Sequence, residues 1–230
     1  MRVALVSVGD EILAGDTVNT NATWLSQQLN ARGATVERVT VVPDRIADIA
    51  HVVNEYHAEY DAVIVTGGLG PTHDDLTMEG IGAAFGRAVE RHEEALAWLT
   101  THGGYSHDDL ATGTAHLPVG ARMLPNEVGV APGCVVDAVY VFPGVPAEMK
   151  GMFDLVADEF SGVKRYTDEV IAAEPESALI DRMNEVQEKF GVKVGSYPGE
   201  NVRIKLESED EDAVSAAKAW LQERVTEAYR

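Results

Sequence analysis

The run Asp61-Ala-Val-Ile-Val-Thr66 breaks directly into Gly67-Gly-Leu-Gly-Pro-Thr72, and this junction constrains the fold more than any other stretch. An unbroken, largely β-branched apolar run bounded by turn residues reads as a buried strand. A strand apolar on both faces belongs to a parallel sheet covered by helices on each side. The glycine loop then leaves the carboxyl edge of that sheet, which is where α/β proteins bind ligands. Glycines at 67, 68 and 70 let the backbone take positive φ and turn amide N–H groups toward an anion.

Alternating strand and helix signals extend this pattern over the first 160 or so residues. A strand at residues 2–8 is followed by a helix capped within Asn19-Thr-Asn21 and ending at Gly33, with Trp24, Leu25 and Leu29 on its inner face. Residues 35–42 form a strand, and Asp44 caps a helix in which Ile46, Ile49, Val53 and Tyr56 recur at helical spacing. Helices are expected at residues 75–86 and 90–102. Short strands are expected at 121–124, 133–136 and 138–142, the last two as a hairpin, before Pro146 opens a helix to about residue 160. From Lys164 the order changes to strand, helix, strand, strand, helix, with segments at 166–172, 175–190, 192–197, 202–206 and 210–229. The expectation is therefore an α/β chain of two domains. Residues 1–163 form a three-layer, mostly parallel sheet, and residues 164–230 form a small α+β unit. There is no internal repeat and no low-complexity linker.

Composition narrows the function classes. The 230 residues carry 38 acidic against 18 basic side chains, a formal charge of −20, so phosphate-backbone recognition is disfavoured and no nucleic acid partner is expected. The apolar stretches are strand-sized, and Met1 leads straight into the first strand without a cleavage site, so a cytoplasmic protein with no membrane partner is expected. Cys134, the single cysteine, excludes an internal disulfide and lies in the apolar segment Gly133-Cys-Val-Val136, where it packs. The acidic balance also suits a protein working in high salt, where self-repulsion is screened. The run Glu207-Ser-Glu-Asp-Glu-Asp212 falls at a helix start and reads as a solvated cap.

Four loops are expected to converge at the sheet edge: Gly9-Asp10-Glu11 with Gly15 and Asn19-Thr-Asn21; Gly67 to Asp75; Pro125-Asn126-Glu127-Val-Gly129; and Pro143-Gly144-Val-Pro146. Asp10, Glu11, Asp74 and Asp75 in one cleft would repel one another unless a cation neutralised them, which implies a hard divalent metal. Each has a plainer reading, a turn for Asp10 and Glu11 and a helix cap for Asp75. Thr72 and Thr77 either donate hydroxyls to a phosphate or cap the next helix. His73 is a ligand, a proton donor or simply solvated, and His92, His102, His107 and His116 read as surface residues. The Pro143–Pro146 segment serves equally as a rigid connector. The glycine loop lacks a Gly-Lys-Ser/Thr ending, and neither G-x-G-x-x-G nor G-x-S-x-G is present, which disfavours an ordinary kinase, dehydrogenase or serine hydrolase.

At these loops the chain resembles the amino-terminal part of the CinA family, the competence-damage-inducible proteins. The matching residues are Gly9-Asp-Glu-Ile-Leu13 with Gly15, Asn19-Thr-Asn21, Thr66-Gly-Gly-Leu-Gly-Pro-Thr72 with Asp74-Asp75, Pro125-Asn126, and Phe142-Pro-Gly-Val-Pro146 with Glu148 and Met149. The resemblance implies a molybdopterin-binding fold of the MogA, MoeA and MoaB type, similar also to the amino-terminal domain of eukaryotic FAD synthases. It implies a KH-like second domain, although no clear G-x-x-G loop is present there, and that unit reads as a structural or dimerisation element. The sequence stops at Arg230, so no deamidase domain or activity is carried over. For the site, the resemblance implies metal-dependent hydrolysis of a nucleotide diphosphate such as ADP-ribose. Gly67, Gly68, Gly70 and Thr72 would hold the diphosphate, and Asp10, Asp74 and Asp75 would be catalytic. Asp10, Glu11, Asp74 and Asp75 would carry magnesium, manganese or cobalt, with potassium as a further candidate ion. Asn19, Asn21, Asn126 and Gly144 would contact the rest of the ligand. The rival readings are binding of molybdopterin with adenylyl transfer, or a catalytically silent nucleotide-binding module. The expected assembly is a homodimer.

Overall fold

A computed structural model describes residues 1–102 and 114–226, and the chain separates into two compact units, Met1–Gly162 and Val163–Arg230. In the first unit, strands β1 (Arg2–Val8), β2 (Thr35–Val42), β3 (Ala62–Thr66), β6 (Arg122–Leu124), β7 (Gly133–Val136) and β8 (Val139–Phe142) make one six-stranded sheet in the order β2-β1-β3-β8-β7-β6. The pairs β1–β2, β1–β3 and β3–β8 are parallel, whereas β7 pairs antiparallel with both β8 and β6. The sheet is thus parallel where it supports the glycine loop and turns antiparallel through the expected β7–β8 hairpin. Asp137, with φ of 52°, makes that turn.

The period-two alternation of the strands divides the core into two layers. Val6 and Val8, Val63 and Val65, and Val139 and Val141 face helices α3 (Ile46–Glu59), α4 (Thr77–Phe85) and α5 (Glu93–Thr101). Val3 and Leu5, Ala62 and Ile64, and Tyr140 and Phe142 face α2 (Thr20–Ala31) and α6 (Pro146–Val156). Leu25 and Leu29 are fully buried and Trp24 packs at the margin of the same layer. Cys134 is buried, and burial pushes its thiol up to about 12, in keeping with an inert packing role.

Several local expectations are corrected. Residues 90–102 are not one helix. Val89–Arg91 forms β4, paired antiparallel with β5 (His116–Pro118), and α5 begins only at Glu93. His92 caps α5, its Nδ1 accepting from the Ala95 N–H at 3.3 Å, and His116 is half-buried in β5, so neither is a free surface residue. His102 is exposed and stacks on Trp98 with ring centroids 3.9 Å apart. His107 lies outside the described residues. Asp10–Leu13 forms a short helix, α1, rather than a simple turn. Asp44 does not cap α3, whose N-cap is Arg45 without a side-chain bond.

The second unit orders β9 (Tyr166–Ala172), α7 (Glu176–Phe190), β10 (Lys193–Tyr197), β11 (Val202–Ser208) and α8 (Glu211–Gln222) around an antiparallel sheet, β10-β11-β9. Alternate residues Val170 and Ala172, and Val202, Ile204 and Leu206, join Leu179, Val186, Val214 and Leu221 in its own core. Asp210 caps α8 as read, accepting from the N–H groups of Asp212 and Ala213, but the helix ends at Gln222. Glu174 anchors this unit. It takes two bonds from the Arg182 guanidinium, at 2.6 and 3.0 Å, and one from the Thr226 N–H at 2.6 Å.

Candidate functional site

The carboxyl ends of β1, β2, β3 and β8 open into one cleft of about 750 Å³, and all four loops singled out in the sequence contribute to it. Its floor is the glycine loop. Gly67 takes φ of +102°, and a Cβ there would fall 2.2 Å from the Val8 carbonyl oxygen, so β3 reaches β1 this closely only because residue 67 has no side chain. The Gly67 N–H is bonded to the Phe142 carbonyl at 3.1 Å and is therefore not available to a ligand. The N–H groups of Gly68, Leu69 and Gly70 make no hydrogen bond to any described residue. They are the loop amides left without a protein partner among the described residues.

The loop is held from below. Thr77, fully buried, donates its hydroxyl to the Gly67 carbonyl at 2.8 Å and its N–H to the Gly68 carbonyl at 3.2 Å. Thr77 is thus a clip under the loop, neither phosphate donor nor cap. Asp75 folds back in the same way, accepting from the Thr72 N–H at 2.9 Å and from the Thr72 hydroxyl. That closure occupies the Thr72 hydroxyl and one Asp75 oxygen. Asp74 and His73 stay exposed, 3.9 Å apart.

The acidic groups are distributed unevenly. Glu11, Asp44, Asp74, Asp75 and Glu148 line the cleft, whereas Asp10 is exposed and is not among the lining residues. Asp10 contributes through its backbone, its N–H donating to Asp44 Oδ2 at 2.8 Å. Asp44 Oδ1 stands 3.5 Å from where a Gly68 side chain would begin, so this carboxylate overlooks the loop. Burial raises the Asp44 pKa above the ordinary aspartate value, and the Asp10, Glu11 and Asp74 carboxylates add to the rise against the Asp10 N–H bond. No lysine, arginine or histidine lines the cleft among the described residues. Nor, among those residues, do three acidic, histidine or cysteine side chains converge as a closed metal cage.

The asparagines divide by role. Asn19 caps α2, its Oδ1 accepting from the Ala22 N–H, and its Nδ2 donates to Ser7 Oγ at 3.0 Å. Asn21 donates to the Gly144 carbonyl at 2.7 Å, tying the first loop to the fourth, while its Oδ1 is buried without a partner. Asn126 is only 4% exposed and its amide is fully committed. Its Nδ2 donates to the Ala131 carbonyl and to Glu148 Oε2, and its Oδ1 accepts from the Val128 and Gly129 N–H groups. Asn126 therefore shapes the third loop and has no bonding capacity left for a ligand. Two cleft carboxylates were missed as site residues in the sequence. Asp44 looked like a helix cap, although its place just after a strand was a usable signal. Glu148 stood out only through the family motif.

Comparison with known proteins agrees with this architecture. Residues 4–161 match the family described as "Probable molybdopterin binding domain", and residues 164–230 match "FAD synthase, middle domain". The crystal structure of the protein CinA from Thermoplasma acidophilum is 36% identical, with a TM-score of 0.64, covering 69% of this chain and 97% of that one. A protein from Archaeoglobus fulgidus is 36% identical over 97% of both chains. A CinA-like protein from Frankia casuarinae is 46% identical over 66% of this chain but only 38% of its own length. The family match over residues 4–161, the likeness to CinA and the following unit that matches the middle domain of FAD synthase place the chain in the CinA-like branch of the molybdopterin-binding domain family.

Proposed function

We propose that the chain hydrolyses a nucleotide diphosphate linkage of the ADP-ribose type with the help of a divalent cation. The observation that carries this reading is a cleft with three unpartnered loop amides, five lining carboxylates and no basic lining side chain among the described residues. A diphosphate entering such a cleft needs a cation that the protein does not supply. Magnesium is held in this manner in many nucleotide sites, by one or two carboxylates with the phosphates completing its shell, so the absence of a closed cage fits.

In this reading the amides of Gly68, Leu69 and Gly70 hold the diphosphate oxygens. Glu11 and Asp74 would hold the cation, in place of the wider set of four carboxylates. When bound, the cation would offset phosphate charge and polarise a phosphoryl oxygen. Asp44, facing the loop, accepts a proton from the attacking water. Water oxygen bonds to phosphorus, the bridging P–O bond breaks, and AMP and ribose phosphate are released. The test is AMP release from ADP-ribose, FAD, NAD and ATP with magnesium, manganese or cobalt in high potassium salt. Asp74→Ala is expected to lower metal-dependent release by about tenfold or more; unchanged turnover would overturn the reading.

The family description supports a second reading, binding of a molybdopterin phosphate on the same loop. Tight retention of a pterin without turnover of any diphosphate would favour it.

A further inference from the structure

The part of the cleft lined by the starts of α2 and α6 has its own chemistry. Glu148 lies in the first turn of α6, where the helix dipole favours an ionised carboxylate. It lines the cleft, and no basic side chain pairs with it among the described residues. One oxygen is fixed by the 2.7 Å bond from the buried Asn126 amide, and the other makes no hydrogen bond to any described residue. The third loop is shaped to admit it, for a Cβ on Gly129 would fall 2.3 Å from the Glu148 carboxyl carbon. The same cleft is lined by Asn21, whose Oδ1 is buried and unpartnered, and by Gly144, whose carbonyl accepts from Asn21 Nδ2.

A carboxylate accepts and never donates while ionised, so this part of the cleft repels phosphate and calls for adjacent hydrogen-bond donors. The vicinal hydroxyls of a ribose supply such a pair, as they do to the acidic residue of dinucleotide-binding folds. We propose that Glu148 is the sugar-reading residue of the cleft, accepting from a ribose hydroxyl pair, and that Asn126 is the positioning residue that aims it. This rests on the diphosphate reading above. It fixes the ligand's direction, phosphates on the glycine loop and ribose toward α6.

The experiment is titration calorimetry, with magnesium, of ADP-ribose and of analogues lacking a 2′- or 3′-hydroxyl on either ribose, using wild type and Glu148→Gln. A pterin phosphate serves as a separate arm. Wild type is expected to prefer the full ribose by about tenfold or more, as for a bond to a charged acceptor. The isosteric Glu148→Gln is expected to bring that ratio close to one. Equal wild-type affinity for ribose and deoxyribose ligands would overturn the proposal while leaving the diphosphate reading standing. So would a preference that survives Glu148→Gln, or a variant that weakens only the pterin phosphate. Failure of wild type to bind any of the nucleotides would overturn both.

Discussion

Asp44 shows how a single half-buried carboxylate can cost the fold stability. Its folded pKa is raised, so the ionised folded form is penalised. The penalty is present in full above the raised value, shrinks as the pH falls, and vanishes below the ordinary aspartate range, where both states are protonated. Asp44→Asn keeps an oxygen for the Asp10 N–H and removes the charge. It is expected to raise the melting temperature at pH 7 by a few degrees without divalent cation, with the gain disappearing in acid; an unchanged or lower value would contradict this electrostatic account. The limit of sequence reading lies in partners of this kind. Asp44 meets Asp10 across 34 positions and Asn126 meets Glu148 across 22, separations that no local pattern encodes. The glycine loop was legible because its conformational demands are local, and the Asp75–Thr72 closure spans only three positions.

At the scale of elements, what was readable depended on length and burial. The long helices and the apolar central strands carried clear periodicity. Val89–Arg91 and His116–Pro118 did not, because strands of three residues exist only through their mutual pairing. In the second unit, Glu174 joins the end of β9 to α7 and to the segment after α8. The Arg182 guanidinium, followed by the Thr226 N–H, holds its carboxyl down to about 2. The resulting stabilisation is complete above the ordinary glutamate value and is lost as the pH falls through about 2. Glu174→Gln is expected to cost about 1–2 kcal/mol at pH 7, allowing for partial solvent exposure. The loss is read as reduced amide-exchange protection across β9 and β11. An equal loss at pH 7 and in strong acid would contradict the linkage.

For the molecule as a whole, the division into two units was visible as a change in element order near residue 164, and the structure separates the chain at Gly162 and Val163. A formal charge of −20 on this frame makes self-repulsion a global property. Thermal stability is therefore expected to rise between dilute buffer and molar potassium chloride, where exposed charges are screened. Equal melting temperatures in the two would remove the high-salt reading of the composition. The cleft concentrates the same imbalance, since its five lining carboxylates face no basic lining residue among those described. Under the proposed reading, linkage makes the help mutual: whatever factor the cation adds to the affinity for the anion, the anion must return to the cation.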